Sequence, residues 1–135
     1  MSIRSIVAVA CVFLAHPLAL AQTHTPASSI SLAKQATRCS VVFGMGAAAE
    51  RSADAKADLE NLQRSLMRVA AKLGGTHTSM EGWLQEFDGE FKSATALSEE
   101  SGKRMREEAF MPRQIDICNG FLREHGAKLE GLLRQ

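Results

Sequence analysis

The sequence has no tyrosine, only 3 prolines and 3 cysteines, and almost no excess charge of either sign. Each scarcity argues against a class of protein. A formal net charge of +1 leaves no field to gather phosphates. The only basic cluster, Lys103, Arg104 and Arg106, runs straight into Glu107 and Glu108. A solvated helix face accounts for that run, and a nucleic-acid partner, which needs clustered cations, is not expected. Long apolar runs are missing too. The longest, Ile6 to Leu14, falls well below the roughly 20 residues of a membrane span and is interrupted by His16-Pro17.

Catalytic and redox signatures are equally scarce. There is no C-x-x-C for thiol exchange, no C-x-x-C-H for covalent haem, and no G-x-S-x-G or H-E-x-x-H for hydrolysis. Only two histidines, His77 and His125, fall in the region expected to fold, and no serine sits in a recognisable base-and-orienter setting. An enzyme is not expected.

What is present begins at the N-terminus. Arg4, the apolar run Ile6 to Leu14 and the small-residue site Ala19-Leu20-Ala21 have the order of a secretory leader, with cleavage after Ala21. Cys11 allows a lipoprotein alternative, but cleavage there would leave a greasy new terminus. Residues 1–21 are thus read as a signal peptide, residues 22–29 as a small, polar tail, and residues 30–135 as a single domain. The mature protein is expected in the periplasm or secreted, with no membrane segment.

Loss of Arg4 with the leader balances the basic residues against the 15 acidic ones. It also leaves two cysteines, Cys39 and Cys118, which in an oxidising compartment read as a disulfide. A ring that long would stabilise the fold by about 4.5 kcal/mol through loop closure.

Apolar spacing predicts four helices. The first runs from about Ile30 to Arg51, capped by Ser28 or Ser29. The second carries Leu59, Leu62, Leu66, Val69 and Leu73 at alternating three- and four-residue intervals and ends at Gly74-Gly75. No proline or glycine separates these two, so a single rod from 30 to 73 is an open alternative. The third helix, capped by Ser79, carries Met80, Leu84, Phe87, Phe91 and Ala94, with Trp83 beside that stripe. Pro112 opens the fourth, which carries Ile115, Cys118, Leu122, His125, Leu129 and Leu132. Few β-branched residues and no strand-like alternation make the fold all-α: a four-helix up-down bundle with a disulfide joining the first and last helices. Gly44 and Gly46, each costing about 1 kcal/mol inside a helix, read as a thin face that a neighbouring backbone approaches, with Cys39 as the clamp.

Three groups of residues are candidates for function. Met45 and His125 are the ligand types of an exported haem-carrying helical bundle. In an antiparallel pair held level at Cys39 and Cys118, however, they would stand roughly 20 Å apart at 1.5 Å per residue; only the single-rod topology brings them level. Glu81, Glu86, Asp88 and Glu90, with His77, could hold a metal, but di-metal bundles repeat E-x-x-H on two helices and this chain has none. A solvated acidic face near a helix N-terminus is the simpler account. Trp83 is a candidate anchor for a protein partner. No cofactor and no metal is expected.

The segments "TRCS", "SADAKADL" and "DICNGFLREHGAKLEGLL" resemble, in order and layout, small exported helical proteins with one cysteine in each outer helix. Among these they look similar to the immunity proteins that protect bacteria from amidases delivered by type VI secretion. That resemblance implies a periplasmic protein that binds and blocks a toxin, often as a homodimer. No toxin-contacting residue carries over.

Overall fold

The computed structural model describes residues 28–96 and 103–135, with side chains given for 28–94 and 109–135. The proposed leader (residues 1–21), Cys11 and nearly all of the polar tail lie outside the described residues, as do the side chains of Lys103, Arg104 and Arg106. Four helices make up the fold: α1 (Ser29–Ala49), α2 (Ala53–Lys72), α3 (His77–Ala96) and α4 (Lys103–Leu133). Among the described residues there is no strand.

Helix ends are set by side chains as well as by glycine. Ser28 Oγ accepts from Ser31 N at 3.1 Å and caps α1. The first two helices are separate, not one rod. The chain turns extended at Glu50 and Ser52. The Glu50 carboxylate accepts from the amides of Arg51 (2.8 Å) and Ser52 (2.9 Å), and Ser52 Oγ accepts from Ala55 N at 3.4 Å. These bonds satisfy amides that a continuous helix would have paired, so a break forms without proline or glycine. The bonds from the Ser52 and Arg51 amides also hold the Glu50 carboxyl below its ordinary value.

At the far end of α2, Gly74 adopts φ +99°. Gly74 N donates to Ala71 O (3.1 Å) and Gly75 N to Ala70 O (2.9 Å), a Schellman closure that needs the left-handed conformation.

Two starting points differ from the sequence expectation. Thr76 rather than Ser79 caps α3. Ser79 N donates to Thr76 Oγ1 (3.1 Å) and Thr76 N to Ser79 Oγ (2.9 Å), so Ser79 is the reciprocal partner one turn in. Pro112 does not open α4 but lies inside it. Its ring forfeits the one amide bond to residue 108, and the helix nevertheless begins nine residues earlier.

The helices pack unequally. α1 buries nine residues, including Leu32, Ala36, Cys39, Val42 and Phe43, and touches all three other helices, as does α4. Among the described residues the backbones of α2 and α3 do not approach each other, so these helices lie on opposite flanks of the α1–α4 pair. Cys39 and Cys118 join that central pair, with 5.4 Å between Cα atoms. α1 and α2 are antiparallel: Ser40 lies beside Met67, Gly44 beside Gln63 and Gly46 beside Leu59.

A Cβ on Gly44 would lie 2.7 Å from Gln63 Nε2 and one on Gly46 3.7 Å from Leu59 Cδ1. The thin face is therefore filled by side chains of α2, not by its backbone. The second-helix stripe points inward as expected, with Leu66, Val69 and Leu73 buried. In α4 the buried line is Gln114, Cys118, Phe121 and Leu129, whereas Ile115 is 38 % exposed. The helix is turned so that Gln114, not Ile115, meets α1.

Candidate functional site

Arg38 sits next to the disulfide at the point where three helices meet. Its Nε donates to Oε1 of the buried Gln114 on α4 at 3.1 Å. Its Nη1 donates to Glu90 Oε1 on α3 at 3.1 Å, and Nη2 to Glu90 Oε2. The guanidinium carbon lies 5.2 Å from the centre of the Phe87 ring. One planar fork thus engages a carboxylate through two nitrogens, an amide through the third, and an aromatic face, all of which arginine geometry allows and lysine geometry does not. Hydrogen bonding from Arg38 is the main reason the Glu90 carboxyl is held below its ordinary value. Sequence reasoning overlooked this residue. The signal was one of only two charged side chains on α1, placed directly beside Cys39.

The acidic face of α3 is accounted for by the same chemistry. Glu86 pairs with Lys34 and Glu90 with Arg38, both across to α1. Asp88 pairs with Lys92 (2.6 Å) and Glu81 with His77 (3.2 Å) within α3. Each carboxylate has a cationic or histidine neighbour, and among the described residues no three His, Cys, Asp or Glu side chains are grouped as a metal would require. Two of the four pairs attach α3 to α1.

Met45 and His125 are not brought together. Met45 is exposed and lines a groove between α1 and α3. His125 is half-buried on α4, its ring 5.3 Å from that of Phe121 and its Nε2 3.7 Å from Glu124. With Cys39 level with Cys118 and the two helices antiparallel, the residues are separated by roughly 20 Å along the bundle. They do not converge on one iron. Trp83 is half-buried and packs against the core cluster.

Among the described residues, open grooves lie between helices, three of them with the following linings. One, of about 280 Å³, has Lys34, Gln35 and Arg38 on its α1 side and Ile117 and Phe121 on its α4 side. A second, of about 340 Å³, lies between Val41 and Met45 of α1 and Leu84, Phe87 and Phe91 of α3. The third, of about 290 Å³, is formed by Leu62, Ser65, Leu66 and Val69 of α2 with Leu122, Gly126, Leu129 and Leu133 of α4. All three expose aliphatic or aromatic side chains beside at least one polar group. No family model, curated protein or solved structure matches the chain.

Proposed function

We propose that this is an exported, disulfide-clamped helical protein that acts by binding another protein, with an immunity protein against a secreted amidase as its most concrete form. One observation carries the reading. The charged side chains of α3 are engaged in ion pairs, two of them with α1, while apolar side chains line three grooves open to solvent. The described residues offer open apolar surface to a partner. The disulfide between Cys39 and Cys118 fits an oxidising compartment and keeps the binding surfaces pre-organised, which lowers the ordering cost of association. The reading is non-enzymatic and needs no cofactor.

The test places a photo-crosslinking residue in each groove, at Gln35, Ser65 or Leu84, with a fourth at the exposed Asp58 as control. The full chain is expressed with its leader, and the cross-linked products are identified by mass spectrometry. The expected result is a mature chain beginning at Gln22, lacking the two thiol hydrogens, and one protein recovered from a groove position but not from Asp58. The purified partner should then bind stoichiometrically, and an amidase partner should lose activity. A cytoplasmic, uncleaved chain with free thiols overturns the exported reading. Cross-linking at no groove position overturns the binding reading.

A further inference from the structure

We propose that the groove between α2 and α4 is the docking site and that its occupant is an acidic amphipathic helix of the partner protein. The inference rests on the protein-binding reading above and goes further by naming the surface and its complement.

The lining of this groove includes two small residues, Ser65 on α2 and Gly126 on α4, among leucines of both helices. A Cβ on Gly126 would meet nothing within 4 Å. Packing inside the molecule therefore does not call for glycine here, although glycine disfavours a helix interior. Its effect is to leave a notch of open space beside the two parallel helices, which an apolar side chain from outside would fill. Neither of the other two grooves has a glycine in its lining.

The rim supplies the charge. Arg64, Arg68 and Lys72 follow one another at four-residue spacing on α2, so they form one exposed stripe, and Ser65 and Val69 adjoin it on the groove side. Arg123 is exposed on α4. Arg64 donates to Asn61 (2.6 Å) and Lys72 to the Leu132 carbonyl (2.8 Å). Among the described residues none of these four cations has a carboxylate partner. Glu130, the one acidic residue lining the groove, pairs with Arg134. This contrasts with the α1–α3 side, where Lys34 and Arg38 are already matched by Glu86 and Glu90.

An apolar groove with a notch, bordered by unmatched cations, is complementary to a helix with leucine-type residues at i, i+3, i+4 and i+7 and carboxylates beside them. Its openness suits a helix, which keeps one face in solvent, better than a small ligand, which needs enclosure.

The probe is a synthetic helical peptide with leucines at that spacing and glutamates elsewhere, set against a matched peptide with lysines in place of glutamates. Binding to the full mature, oxidised chain is followed by fluorescence anisotropy and amide NMR. The glutamate peptide should bind saturably, shift Ser65 and Gly126, and weaken as salt rises. The lysine peptide should bind about tenfold less tightly or worse, and the R64E/R68E double variant should invert that preference. Gly126→Leu, which fills the notch with a better helix former, should weaken the glutamate peptide by about tenfold without lowering the melting temperature.

Equal affinity for both peptides, or amide shifts confined to other faces, overturns the proposal. So does saturable binding of oleate or of phosphatidylglycerol vesicles in place of the peptide. A dimer in solution that Gly126→Leu abolishes makes a second copy the occupant and overturns it as well. If the cross-linked partner binds the R64E/R68E and G126L variants as tightly as the parent chain, this groove falls and the protein-binding reading stands. If no protein is cross-linked at any groove, that reading falls and this proposal with it.

Discussion

α2 and α3 have the same length, lie on opposite flanks of the same α1–α4 pair, and are held there by different forces. α2 docks through apolar side chains: Leu66, Val69, Ala70 and Leu73 are buried, and Gln63 fills the space left by Gly44. α3 buries one large side chain, Phe87, whose ring and that of Phe91 lie 6.0 and 5.7 Å from the ring of Phe110 on α4. Met80 and Trp83 add part-buried apolar contact with the core, and two ion pairs, Lys34–Glu86 and Arg38–Glu90, tie α3 to α1. Apolar docking is indifferent to salt and pH, whereas half-exposed ion pairs are screened and titrate. One flank of the bundle should therefore respond to its surroundings and the other should not.

The largest effect should come from cutting the link that both flanks share. Replacing Cys39 and Cys118 together with alanine removes a covalent constraint across 79 residues and should cost about 4.5 kcal/mol, read as a lower denaturation midpoint that reductant reproduces in the parent chain. If α2 and α3 lose amide protection to different degrees in that variant, their docking is independent of the central pair.

Next come the anchors of the two flanks. Leu66→Ala on α2 and Phe87→Ala on α3 should each cost about 3 kcal/mol. Hydrogen exchange should separate them. The first variant lowers protection throughout the bundle, while the second releases α3 and leaves α1 and α2 protected. A global loss in both would show that the flanks are equally integrated.

A smaller effect tests the ionic flank. The folded Glu90 carboxyl is held below its ordinary value, chiefly by Arg38. A depressed carboxylate contributes stability that is fully present above the unfolded value of about 4.3 and is lost as pH falls through the lowered folded value. Because the Glu90 side chain is 48 % exposed, that contribution is at most about 1 kcal/mol. Glu90→Gln should flatten the acid limb of the stability curve and reduce the salt sensitivity of α3 protection. An unchanged acid limb would place the pH response elsewhere.

The smallest change concerns the apolar flank. Gly44→Ala brings a methyl group against the flexible end of Gln63, which can swing aside, and gains helix propensity. The net effect should lie within about 0.5 kcal/mol of zero on the stabilising side, since a full glycine-to-alanine gain is about 1 kcal/mol. A loss above that in thermal melts would show that Gln63 has no room to move.

How much of this was legible varied along the chain. The three–four stripe of α2 was fully readable, because a helix buried on one face leaves its period in the sequence. The cysteine pairing followed from reading residues 1–21 as a leader, which leaves only Cys39 and Cys118 to pair. The break at Glu50–Ser52 was not, because it depends on one carboxylate folding back onto two amides rather than on a breaking residue. In α4, Ile115 fits the apolar period as well as its neighbours do, but Arg38 has its polar partner in Gln114, and that contact goes with Ile115 facing outward. The acidic residues of α3 looked like a solvated face. Two of them were interhelical, which only the position of α1 reveals.

By itself, then, the sequence determined that the chain makes four helices and ties its outer two through sulfur, since hydrophobic periodicity, capping chemistry and cysteine number are local or countable properties. Tertiary structure alone decided that α1 and α4 form the centre with α2 and α3 apart. It also decided that Met45 and His125 do not meet, and that the cations of α2 stay unmatched beside an apolar groove while those of α1 are neutralised. These depend on which faces meet at which level, and that choice is made by packing and long-range charge pairing, to which a one-dimensional pattern gives no coordinates.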